Sequence, residues 1–344
     1  MSANACMPPP TNFGQQLRTA FLATRILRQH IRSHSLLILI FAIFGALGGC
    51  TSSNPRPDDV KHNKLHANSF KFKDGGQALY YSFDLGAPSA GSTLIFFVSG
   101  SGCASVKARF PGYFDPIQHQ LDARVLVLQK RGIEENSNGN SCSRTFVHTD
   151  YFDQTVADQT EFINYQLGKQ STRPKAIVLM GASEGSVVAA KIASIDSRMT
   201  HLALIGSGGS TVRENLRLLS RKIWYLSAPE EKFAAIATEP GSTTKSAWGH
   251  SYKYWSSLLD VDIGNLLLSL DIPIVMAMGE QDESVPVETA ISLKQKFAEQ
   301  EKQNFHLYAF PNSDHRLYDS KRSLSHTKEF LEGLVKQINQ EKTQ

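Results

Sequence analysis

The chain predicts an α/β fold, a doubly wound and mostly parallel sheet of about eight strands with a helical cap insertion, and three observations carry that prediction. Apolar runs of strand length alternate with amphipathic runs of helix length across residues 68–340, the rhythm of a sheet wrapped by helices. Several central runs, such as 94–98 within 93–98 and 176–180 within 175–180, are continuously apolar, as strands covered on both faces of a parallel sheet are. The alternation then breaks between residues 210 and 271, where helix-like patterns continue but no run resembles a sheet strand.

Strand-like runs fall at 69–73, 78–84, 93–98, 124–129, 175–180, 201–205, 273–278 and 304–310, the sheet opening antiparallel. Helical patterns lie at 151–167, 184–195, 286–299 and 325–340. This divides the domain into a first core part at 68–209, an inserted cap at 210–271 and a second core part at 272–344. An insertion after the sixth strand-like run reads as a cover over the functional edge of the sheet. Inside it Trp248, Tyr252, Tyr254 and Trp255 cluster beside Leu258 and Leu259. They form either a wall for an acyl or aromatic group or the cap's own core.

Ahead of the domain, residues 1–49 carry Arg18, Arg25, Arg28 and Arg32 but no acidic residue. Residues 36–47 are twelve apolar residues, too few for the ~20 that span a bilayer and suited to the core of a secretory signal. Leu47-Gly48-Gly49-Cys50 resembles the lipobox of bacterial lipoproteins. That resemblance implies a signal peptide at 1–49, lipidation of Cys50 and a membrane-tethered enzyme of the bacterial envelope, facing the periplasm or on the outer membrane; Thr51, in place of an aspartate, leans towards the latter. Residues 50–67, polar and proline-bearing at their start, form the tether.

Losing the leader changes 36 basic and 32 acidic residues to 32 of each, so the basic balance reports export and no nucleic-acid partner is expected. Of four cysteines, Cys6 leaves with the leader and Cys50 takes the lipid. Cys103 and Cys142 remain, each just beyond a predicted strand end in an oxidising compartment. They are either a disulfide or two buried thiols. No C-x-x-C pair or clustered histidine set appears, so no metal or other cofactor is implied.

The chemistry centres on Gly181-Ala182-Ser183-Glu184-Gly185, set between a β-branched strand-like run and a helix-like one. In that context G-x-S-x-G predicts a nucleophile elbow, a turn too tight for side chains at 181 and 185 that holds the Ser183 hydroxyl clear of the sheet. A serine hydroxyl needs a base, and the base needs a carboxylate to orient it. His315, just past the last strand-like run, is the candidate base; His119, His148, His201, His250 and His306 lack that placement. For the acid, 279–286 follows a buried strand and offers Glu280, Asp282 and Glu283. Asp282 is the choice, with Glu280 and Asp314 as alternatives.

Here the chain resembles the α/β-hydrolase superfamily, whose acid-bearing loop commonly reads G-x-x-D-x-x-V-P, matched by Gly279, Asp282, Val285 and Pro286. The order Ser183, Asp282, His315 is also that superfamily's order. The resemblance implies an oxyanion hole from the amide of Glu184 and one from the loop 99–103, where Ser99 replaces the superfamily's usual histidine. Ser101 supplies that amide by alignment, with Gly102 as the alternative. Gln129-Lys130-Arg131-Gly132 resembles the D-Q-R-G segment of proline iminopeptidase-like members, with Gln129 and Lys130 departing from it.

The implied function is a serine hydrolase that cleaves small-molecule carboxylic esters or thioesters through an acyl-enzyme. A proline iminopeptidase-like aminopeptidase or an acyltransferase would use the same triad, since the elbow does not encode the leaving group. A non-catalytic envelope binding protein is the remaining alternative.

Overall fold

The computed structural model describes residues 65–107, 110–319, 321 and 325–340. The leader, Cys6 and Cys50 lie outside the described residues, as does nearly all of the tether. Eight strands form the main sheet: β1 (His66–Lys71), β2 (Gln77–Leu85), β3 (Thr93–Val98), β4 (Ala123–Leu128), β5 (Ile177–Ala182), β6 (His201–Ile205), β9 (Ile274–Gly279) and β10 (Phe305–Phe310). Their order is β1-β2-β4-β3-β5-β6-β9-β10. β1 pairs antiparallel with β2, and β2 antiparallel with β4. Every later pairing is parallel, so the sheet has the antiparallel start and parallel body that the sequence predicts.

Burial explains why the middle strands read as unbroken apolar runs. Ile177 to Met180 of β5 and all of β6 and β9 are buried, because helices cover both faces. One core, with Phe96, Leu179, Val188 and Met276, lies under the helices Phe152–Gly168 and Glu184–Ile195 and runs on into residues 212–270. The opposite face packs Ile95, Val178, Met180 and Val275 against Phe330, Leu331 and Leu334 of the helix Ser325–Gln340.

Parallel strands all end on one edge, and that geometry gathers the loops after β3, β5, β6, β9 and β10. Residues 210–271 cover this edge with the helices Val212–Ser220, Pro229–Thr238, Tyr252–Leu258 and Ile263–Leu268. They also contain a two-stranded hairpin, β7 (Ser246–Ala247) and β8 (His250–Ser251), too short to leave a strand pattern in sequence. Three other pieces escape sequence reading for the same reason. The helix Phe110–Tyr113, the 3-10 turn Asp115–Ile117 and the helix Arg144–Thr149 each have six residues or fewer.

Candidate active site

Between β5 and the helix Glu184–Ile195 the chain reverses at Ser183, which sits at φ 55° and ψ −124°. A non-glycine residue at positive φ is strained, and such strain persists only where the surroundings fix it. Here they do. The Ser183 amide donates to the Ile205 carbonyl at 2.7 Å, and Ser186 Oγ donates to the Gly181 carbonyl at 2.9 Å. A Cβ on Gly181 would lie 2.4 Å from the Gly185 carbonyl oxygen, and one on Gly185 would lie 2.2 Å from that of Val98. Strand, helix and the end of β3 therefore close on one another only because both positions lack side chains.

The loops after β9 and β10 bring Asp282 and His315 into contact. The Nδ1–H of His315 donates to Asp282 Oδ2 at 2.7 Å. The Asp282 side chain is fully buried, and its Oδ1 accepts the amides of Ser284 at 2.7 Å and Val285 at 2.8 Å. Both oxygens are thus occupied, which fixes the carboxylate and the imidazole it holds. The ring packs on Gly206, where a Cβ would lie 2.8 Å from its Cε1. Gly206 directly follows Ile205, the residue that accepts the Ser183 amide, so the imidazole stands at the strand end beside the elbow. Asp314 turns its Oδ1 to the amides of Arg316 and Tyr318 at 2.8 and 3.0 Å, and Glu280 is exposed.

On the other side, the loop 99–103 lies against the elbow. A Cβ on Gly100 would be 3.0 Å from the Ala182 carbonyl oxygen and 3.1 Å from Ser183 Cβ. Ser101, Ser183 and Glu184 line one cavity of about 380 Å³, and the Glu184 amide stands at the positive end of its helix. Cys103, at the end of the loop, is bonded to Cys142, with Cα atoms 5.5 Å apart. Among the described residues no group of three or more His, Cys, Asp or Glu is placed to hold a metal ion.

The rest of the cavity is largely apolar. Val187, Leu216, Leu219, Leu226, Trp248 and Trp255 are among its walls. The aromatic cluster that sequence left open between cap core and wall is both, since Tyr254, Trp255 and Leu258 are buried and also face the cavity. Glu184 and Glu283 line it, but no lysine or arginine among the described residues does. A larger groove of about 810 Å³ between β1 and the helix Phe152–Gly168 has no contact with this chemistry.

Beneath the elbow is a buried ionic cluster that sequence reasoning missed. Lys130 Nζ donates to Asp150 Oδ1 at 2.7 Å and to both oxygens of Glu184 at 2.8 and 2.9 Å. Tyr254 OH donates to Glu184 Oε2 at 3.1 Å, and His250 Nδ1 stands 3.6 Å from Asp150 Oδ2 while its ring stacks on Tyr254. Burial by itself would lower the Lys130 ammonium, but the Glu184 and Asp150 carboxylates outweigh it and hold the pKa above the ordinary lysine value. Burial, then the same two carboxylates, pushes the Tyr254 phenol well above its usual range, which keeps it a neutral donor. The single sequence signal was Lys130 in place of glutamine in the segment 129–132. Its neighbour Arg131 is structural, forking onto Asp158 at 2.7 Å through two nitrogens and reaching Asp74 through a third.

Several solved structures share this architecture. Est1E from Butyrivibrio proteoclasticus is 15% identical with a TM-score of 0.55, the match covering 79% of this chain and 99% of that one. The Pyrococcus furiosus esterase Pf2001 is 14% identical with a TM-score of 0.56, covering 84% and 94%. An acylaminoacyl peptidase of Pyrococcus horikoshii is 12% identical with a TM-score of 0.55, but the 81% of this chain that matches spans 41% of that protein. These likenesses establish the α/β-hydrolase fold. No curated protein sequence matches the chain significantly. A family model does, over residues 136–341, more than half of the chain and the part that holds Ser183, Asp282 and His315. On that match this chain is a serine hydrolase and belongs to the prolyl oligopeptidase family.

Proposed function

We propose that the chain hydrolyses carboxylic esters or thioesters of uncharged acyl groups, with Ser183 as nucleophile, His315 as base and Asp282 as the acid that orients it. The observation that carries this reading is the strained Ser183 held against the strand end on which the Asp282-bound imidazole packs. His315 takes the Ser183 proton as the hydroxyl attacks the acyl carbonyl, and Asp282 stabilises the imidazolium that forms. The developing oxyanion is met by the amides of Glu184 and Ser101. His315 then protonates the leaving group and activates the water that releases the acid.

An uncharged acyl group suits walls that are mostly apolar, where the Glu184 carboxylate is already paired with Lys130 and no lysine or arginine among the described residues lines the cavity to meet a charged acyl group. An ester, rather than a peptide, suits a chain that spans nearly the whole of its esterase neighbours but two fifths of the peptidase. The test is to label the purified domain with a fluorophosphonate, map the modified peptide, and assay esters of graded chain length beside aminoacyl amides. Modification at Ser183 and ester turnover are expected. Absence of label at Ser183, or equal labelling of His315→Ala, would sink the mechanism; turnover of the amides alone would assign an aminopeptidase on the same residues.

In this reading the leader 1–49 exports the enzyme and lipid on Cys50 anchors it to the envelope. Globomycin, which blocks lipoprotein signal cleavage, should make the uncleaved precursor accumulate. Unchanged processing would count against the anchor.

A further inference from the structure

The mechanism above leaves the buried cluster of Lys130, Asp150, Glu184, Tyr254 and His250 unused, yet one member belongs to the residue that follows the nucleophile. Glu184 gives its backbone N–H to the proposed oxyanion hole while its side chain bears a carboxylate with only 4% exposure. The two ends of this residue have opposite effects on a growing negative charge. An amide dipole aimed at the oxyanion stabilises it, and an ionised carboxylate a few bonds away in a dry site opposes it.

We propose that Lys130 is a positioning residue for the hydrolysis: by gripping both carboxylate oxygens of Glu184 it holds that residue's N–H towards the oxyanion and offsets the carboxylate's charge. The inference rests on the reading of Ser183 as nucleophile. Lys130 is well placed for the task, since it lies two residues beyond the end of β4 and is fixed at a second point by Asp150, the residue that caps the helix Arg144–Thr149. Its ammonium also lies 5.8 Å from the centre of the Phe146 ring. The grip extends to the cap, because Tyr254 donates to the same carboxylate and carries the stacked His250 with it. Movement of the cap helix Tyr252–Leu258 is thereby linked to the residue that receives the oxyanion.

A purely structural ion cluster and a positioning one differ in what they predict. Lys130→Gln leaves the Glu184 carboxylate near the oxyanion without its cation. Compared with wild type on a short-chain p-nitrophenyl ester, it should lower kcat by roughly 10- to 100-fold, less than the roughly 10²- to 10³-fold that outright loss of an oxyanion donor costs because the amide itself remains, with KM changed less than about threefold. Adding Glu184→Gln removes the uncompensated charge, and Lys130→Gln/Glu184→Gln should recover most of the lost kcat. A folded Lys130→Gln protein with wild-type kcat, or a double variant as slow as the single one, would overturn the proposal.

Should Lys130→Gln fail to fold, a second comparison decides. Glu184→Gln and Glu184→Leu both leave Lys130 paired with Asp150, but only the glutamine keeps an oxygen for Lys130 and Tyr254 to hold. The leucine variant should then have a kcat roughly 10-fold below that of the glutamine variant at similar KM, and equal values would refute the grip. Fluorophosphonate labelling of wild type separates the two levels of failure. No label at Ser183 means that the reading of the site is wrong, whereas a labelled Ser183 with kcat indifferent to Lys130 removes only the role given to Lys130.

Discussion

Ser183→Ala should lower kcat on a short-chain ester by roughly 10³- to 10⁶-fold, the range seen when a hydrolase loses a nucleophile that acts as a unit with its base. The backbone at this position is already at φ 55°, and alanine carries the same Cβ, so the substitution adds no new strain. The hydrogen bond that the Ser183 amide donates to the Ile205 carbonyl is a backbone contact and survives. Melting temperature should therefore stay within a degree or two, and KM for an uncharged acyl group should change little, because the apolar walls are untouched. Activity above about 1% of wild type in a folded, contaminant-free Ser183→Ala preparation would show that another group attacks the acyl carbon.

Asp282→Asn is expected to have the next largest effect, a fall in kcat of roughly 10³- to 10⁴-fold. The reason is the direction of one proton. As it stands, Asp282 accepts from Nδ1–H of His315, which leaves Nε2 free to take the serine proton. An asparagine can instead turn its NH₂ towards Nδ1, which stabilises the tautomer whose Nε2 already carries hydrogen and cannot act as base. Structure should be retained, since an amide oxygen can still accept from the Ser284 and Val285 amides. Glu280→Gln and Asp314→Asn serve as controls and should stay within about threefold of wild type, because Glu280 is exposed and Asp314 is turned to local amides. A larger loss from Asp314→Asn than from Asp282→Asn would move the acid to the neighbour of the histidine.

Sequence determined the sheet because a strand buried on both faces is mostly apolar, and the runs 94–98, 176–180, 202–205 and 273–278 show that directly. It also determined the elbow, since Gly181 and Gly185 are demanded by contacts too close for any Cβ. Local pattern could not see the helices Phe110–Tyr113 and Arg144–Thr149 or the hairpin at 246–251, which are shorter than the periods that would reveal them. It put Asp282 first through the match to G-x-x-D-x-x-V-P but left Glu280 and Asp314 open, since all three offer the same functional group. Only the fold separates them, by burying the first against His315 and leaving the others to solvent or to nearby amides.

The ionic cluster is the clearest case of information held by the tertiary structure alone. Lys130, Asp150, Glu184 and His250 come from four separate segments, and nothing in any segment specifies its partner. What joins them is the convergence of parallel strand ends beneath a cap, which buries the charges together and makes each one's energy depend on the others. Periodicity and turn chemistry are local and so were written in the chain. Charge compensation depends on distances that exist only after folding.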